Sequence, residues 1–152
     1  MHEVIVACVD GSPGGYAAVA EAAELARRFD ARLIALSVEE GLPRYAGTIG
    51  EVDEFKREKD SYYEKVGEQA AVIAQERGVA MRHEVRMGHA AATIVKFADE
   101  VGADLMVLGH KGHSRIATFV IGSTVQKVSA HSNASVLMVK GDSKSSIREL
   151  GT

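Results

Sequence analysis

The chain has 152 residues, 46% hydrophobic and 26% charged, which suits one domain around a single core and is neither a disordered nor a membrane-protein composition. Its formal charge of −3, from 18 Lys and Arg against 21 Asp and Glu, excludes a broad cationic surface for nucleic acid but leaves room for a local anion site. No apolar run reaches the ~18 residues of a membrane span, and Met1-His2-Glu3-Val4 lacks the cationic segment of a secretory signal, so no membrane contact and a cytoplasmic location are expected.

The first element, Glu3 to Val9, reads as a strand; its run Val4-Ile5-Val6-Ala7 is continuously apolar, as in a central parallel strand covered on both faces. Cys8, the single cysteine, lies in this run and reads as a small buried hydrophobe. The loop Asp10-Gly11-Ser12-Pro13-Gly14-Gly15 follows, with Ser12 placed to cap a helix and Pro13 at its first position. Ala22, Leu25, Ala26 and Phe29 then repeat at helical spacing. Arg32 to Val38 is the second strand. Glu39 to Val52, with Gly41, Pro43, Gly47 and Gly50, reads as an irregular connector or a flap over a site.

Phe55, Tyr62, Val66, Ala70 and Ile73 mark a long helix, interrupted in pattern by Gly67 and stopped at Gly78. Val79 to Met87 is the third strand; Ile94, Phe97, Ala98 and Val101 give a helix ending near Gly102. Asp104 to Leu108 is a second continuous apolar strand, Val125 and Val128 mark a last helix with Ser123 near its start, and Ser135 to Val139 is the fifth strand. Strands alternating with helices predict an α/β fold with a parallel sheet. Residues 1–140 form the expected domain, and the polar, small-residue run 141–152 reads as a frayed tail.

In an open parallel sheet, ligands bind outside the carboxyl ends of the strands, where the order of strands reverses. The first loop qualifies: Asp10 could accept from a ribose hydroxyl or an adenine amine, or act only as a turn carboxylate. A stronger signal follows the fourth strand. Gly109-His110-Lys111-Gly112, nine residues, then Gly122-Ser123-Thr124 places small residues at both edges of a loop and hydroxyls at a helix start, a pattern suited to phosphate oxygens or to an ordinary packed loop. Lys111 and Arg115 could neutralise phosphate or extend into solvent. His110 and His113 have no third and fourth partners for zinc. The Walker spacing, the dinucleotide fingerprint and the G-x-S-x-G elbow are all absent, and no serine has a recognisable activating base. Asp10 and Asp104 fall at opposite ends of neighbouring parallel strands, which rules out a carboxylate pair.

Together, Val4 to Ser12, the pattern Gly109-x-x-Gly112-x9-Gly122-Ser123 and the closing run Val136-Leu137-Met138-Val139 make the chain resemble the ATP-binding branch of the universal stress protein family from Met1 to Lys140. That resemblance implies a five-stranded open sheet in the order 3-2-1-4-5 with helices on both faces. It also implies ATP or ADP in the crevice, and a homodimer. By the same resemblance Asp10 takes the nucleoside role, Val38 lies beside the base, and Gly109, Gly112, Gly122 and Ser123 line the phosphates, with Thr124 as an extension. Mg2+ or Mn2+ would arrive on the nucleotide phosphates rather than on a protein cage. Gly88-His89-Ala90 and Ala134 lack prolines common at those family positions, which bears on loop rigidity.

The function implied is regulatory, with nucleotide occupancy coupled to conformation or to a regulatory protein partner. A nucleotide-independent dimeric module and a slow ATP hydrolase or phosphotransfer protein are the alternatives. The homodimer is expected through the edge strand Ser135 to Val139.

Overall fold

The computed structural model describes residues 2–40, 48–110 and 122–141. Five strands alternate with four helices: β1 (Val4–Cys8), α1 (Pro13–Phe29), β2 (Arg32–Glu39), α2 (Ile49–Glu76), β3 (Met81–Met87), α3 (Ala90–Val101), β4 (Leu105–Gly109), α4 (Ser123–His131) and β5 (Ser135–Val139). The strands form one sheet in the order β3-β2-β1-β4-β5, and every neighbouring pair is parallel. The expected 3-2-1-4-5 order is therefore observed. Chain order reverses between β1 and β4, so the loops leaving these two strands diverge and open a crevice.

Alternation along the strands divides the core into two layers. Ile5, Ala7, Leu33, Ala35 and Val107 face α1 and α2, where Ala18, Ala22, Ala23, Ala70 and Ala74 let the helices approach closely. Val6, Ile34, Leu36, Met106 and Leu108 face α3 and α4, meeting Ile94, Phe97, Val125 and Val128. A period of two in the central strands, each position apolar, is what a sheet covered on both faces requires.

Two boundaries differ from the sequence reading by two residues or more. α2 starts at Ile49, inside the segment expected as a connector, because Thr48 caps it by accepting from the N–H of Glu51 at 3.1 Å. β3 starts at Met81 rather than Val79. Gly67 does not break α2; the His83 ring lies where a side chain would project, and a Cβ there would stand 2.3 Å from its Nδ1. The buried stripe of α2 runs through Tyr63, Val66, Gly67, Ala70 and Ala74, so Tyr63 rather than Tyr62 faces inward.

Candidate functional site at the carboxyl ends of the strands

A cavity of about 510 Å³ lies at the exits of β1, β2 and β4, within the range of small-molecule sites. Asp10, Val38, Gly109, Gly122, Ser123 and Thr124 all line it. Six of the seven expected site residues are thus brought together from three loops; the seventh, Gly112, lies outside the described residues, as do Lys111, His113 and Arg115.

Within this group the residues have different duties. Asp10 Oδ1 accepts from the backbone N–H of Ser12 at 3.0 Å and from the Ser12 hydroxyl at 2.5 Å. Ser12 Oγ in turn accepts from the N–H of Gly15 at 3.2 Å, capping α1 as expected. One oxygen of Asp10 therefore does the turn work that the sequence reading held open. Gly109 has a packing duty, since a Cβ on it would lie 2.5 Å from the Gly14 carbonyl oxygen. The glycine lets the end of β4 touch the first turn of α1.

Gly122 is different. Its φ of −55° is open to any residue, and among the described residues an added Cβ would meet only the His110 carbonyl oxygen, at 3.4 Å. Packing among the described residues does not demand a glycine there. Its N–H donates to that same carbonyl at 3.2 Å, which joins the two ends of the 110–122 excursion. Gly122 is also the N-cap of α4, which has no side-chain cap. The first-turn N–H groups of a helix lack internal acceptors. Those of α4 lie at the cavity wall beside the hydroxyl-bearing Ser123 and Thr124. α3 also lacks a side-chain cap, but it brings only Ala90 and Ile94 to the wall.

Lys59, Tyr62, Tyr63 and Glu40 are among the lining residues that the sequence reading did not single out as ligands. Three come from α2, whose stripe was read as core. Tyr62 donates to the carbonyl of Asp10, and Tyr63 to that of Val38 at 3.3 Å. Burial, then the Asp10 carboxylate, raises the Tyr62 pKa; burial, then Tyr62, raises that of Tyr63. Both phenols stay protonated at neutral pH.

Cys8 is half-buried and lines the cavity rather than being sealed in the core as expected. Burial, with the Asp10 charge added, pushes its thiol up to about 12, so it is no thiolate nucleophile near neutrality. Among the described residues no cluster of His, Cys, Asp or Glu could hold a metal ion, and no helix is long and apolar enough to cross a membrane.

The chain is similar to known proteins. A universal stress protein of Methanocaldococcus jannaschii is 30% identical over 149 residues, covering 95% of this chain and 85% of the relative. The UspA protein of Lactobacillus plantarum superposes with a TM-score of 0.81 at 24% identity, covering 90% of this chain and 97% of the other. A universal stress protein solved in complex with cAMP gives a TM-score of 0.71 at 27% identity, covering 91% and 97%. The family model for universal stress proteins matches residues 1–140, from the start of the chain to the end of the last strand, and with the sheet order and the full-length relatives this makes the chain a member of the universal stress protein family.

Proposed function

We propose that the cavity binds an adenine nucleotide, ATP or ADP, and that the protein is a cytoplasmic regulatory or stress-response protein whose conformation or partner contacts depend on occupancy. The observation that carries this reading is the uncapped start of α4. First-turn N–H groups that lack intrahelical acceptors, the positive end of a helix dipole and two hydroxyls at a cavity wall form a site for phosphate oxygens. The cAMP complex of a relative at 27% identity supports an adenine ligand in this family.

In this reading Asp10 and Val38 hold the nucleoside. Gly109, Gly112, Gly122, Ser123 and Thr124 surround the phosphates, with Mg2+ or Mn2+ held by the phosphates themselves. Binding signals only if the nucleotide favours one conformation or assembly over another. Calorimetric titration of ATP, ADP, AMP and GTP tests the reading. Wild type should bind adenine nucleotides saturably, and Gly122→Val should weaken binding at least several-fold while leaving the fold intact. A folded wild type that binds none of them, with or without divalent cation, overturns it.

A homodimer through β5 belongs to the same proposal. Among the described residues β5 pairs with β4 on one side only, and Val136, Leu137, Met138 and Val139 are half-exposed. An edge strand of this kind favours pairing with a second copy. Sedimentation should show a dimer that Val136→Lys dissociates without loss of nucleotide binding; a monomer at all concentrations rules it out.

A further inference from the structure

Where a parallel strand leaves its sheet, its last carbonyls lose their ladder partners and need other donors. Side-chain hydroxyls supply them here. The Val9 carbonyl accepts from the Ser37 hydroxyl at 2.7 Å. That hydroxyl lies 2.9 Å from His83 Nε2; with its only hydrogen on Val9, it accepts from a protonated Nε2. The next carbonyl, of Asp10, accepts from Tyr62, and the Val38 carbonyl accepts from Tyr63.

The last two donors are adjacent residues of one helix. Neighbours on a helix project about 100° apart, so the pair reaches two different loops: the exit of β1 and the exit of β2. Their rings meet edge to face, with centroids 5.0 Å apart and planes at 84°. The β1 loop is shaped to this contact. Gly11 has φ +90°, and a Cβ there would lie 2.2 Å from the Tyr62 oxygen and 3.2 Å from a Val66 methyl. Two of the three exits that form the cavity are thereby fastened to the same helix turn, while the third, at β4 and α4, is fastened to neither tyrosine among the described residues.

We infer that Tyr62 and Tyr63 are positioning residues whose hydroxyls clasp the exits of β1 and β2 to α2 and so set the geometry of the nucleoside half of the cleft. The phosphate half at α4 keeps its own geometry. This inference rests on the proposed nucleotide site and adds the element that shapes one half of it. Ser12 holds Asp10 at Oδ1 and Tyr62 holds it at its carbonyl, so losing the phenol hydroxyl loosens the peptide that carries the carboxylate.

Tyr62→Phe and Tyr63→Phe keep the rings and remove one donor each. Amide hydrogen exchange of the ligand-free proteins is measured beside titrations with adenosine and with tripolyphosphate. Tyr62→Phe should accelerate exchange at Gly11, Ser12, Gly14 and Gly15 and weaken adenosine by about 2- to 13-fold, the range for one lost hydrogen bond, with tripolyphosphate affinity unchanged. Tyr63→Phe, with the longer bond, should give a smaller adenosine loss and leave exchange at Gly11 to Gly15 unaltered. Wild-type exchange and wild-type adenosine affinity in both variants would overturn the inference. So would equal losses for adenosine and tripolyphosphate, which indicate general loosening. If wild type binds neither probe, the nucleotide reading fails by itself, and exchange confined to the β1 exit still decides for or against the clasp.

Discussion

The helix starts of α1 and α4 face the same cavity, and they have solved the problem of a helix N-terminus in opposite ways. At α1, Ser12 caps Gly15, Asp10 braces Ser12, and Ser12 is 1% exposed. The turn satisfies itself and has little left to offer a phosphate. At α4, the N-cap is Gly122, no side chain caps the helix, and Ser123 is exposed. Both loops read Gly-Ser at the level of sequence, yet one is architecture and the other is open to a ligand. A glycine beside a serine therefore indicates a helix entrance, and only the partners of the serine tell which kind.

The largest expected effect separates the two glycines at the β4 edge of the cavity. Gly109→Val must push its side chain into the Gly14 backbone and should cost about 2–3 kcal/mol of stability, lowering the melting temperature by several degrees. Gly122→Val, whose Cβ would meet only the His110 carbonyl oxygen, at 3.4 Å, among the described residues, should leave that temperature unchanged; equal destabilisation by the two would erase the distinction between them.

The serines sharpen the same contrast on a smaller scale. Ser12→Ala removes a buried cap and should cost about 1 kcal/mol in chemical denaturation. Ser123→Ala should leave denaturation unchanged and weaken ATP by roughly 2- to 13-fold. Wild-type ATP affinity in Ser123→Ala would make that hydroxyl a bystander, and a phosphoserine at 123 formed and consumed at a turnover rate would make it a nucleophile.

The smallest effect comes from the far end of the sheet. Asp104 Oδ2 accepts from Glu3 N–H at 2.7 Å and Val4 N–H at 3.4 Å, with His2 3.3 Å from Oδ1. Burial pushes the Asp104 pKa up, but the two N–H donors and His2 outweigh it and the net shift is downward. A lowered folded pKa means that Asp104 contributes stability above the ordinary aspartate value of about 3.9 and loses it as pH falls through the folded value. The carboxylate is partly exposed, so the contribution at neutral pH should stay below about 1 kcal/mol. Denaturation midpoints of Asp104→Asn should lack this acid-side slope, with ATP affinity unchanged.

Much of the architecture could be read directly. The unbroken apolar runs of β1 and β4 required covered central strands, and Ser12-Pro13 announced the start of α1. What escaped the reading depends on distance along the chain. Tyr62 finds its partner 52 residues away and Tyr63 finds its partner 25 away, so no local pattern distinguishes their hydroxyls from those of core tyrosines. Gly109 was ambiguous because close approach of a ligand and close approach of Gly14 make the same demand on a residue. The start of α2 was legible after all: Thr48-Ile49-Gly50-Glu51 fits the capping-box pattern, hidden among the glycines and proline of the preceding connector.

The length of α2 has a mechanical consequence. At 28 residues it is about 42 Å long, and Ile49 at its N-terminal end is 84% exposed. Tyr62 lies 13 residues from that end, or about 20 Å along the axis. A tilt of ~5° about the tyrosine pair carries Ile49 through roughly 1.7 Å, on the 1.5 Å rise per residue. A displacement at the strand exits too small to disturb the sheet is thus magnified at the tip of a rigid rod, where an apolar side chain already stands in solvent.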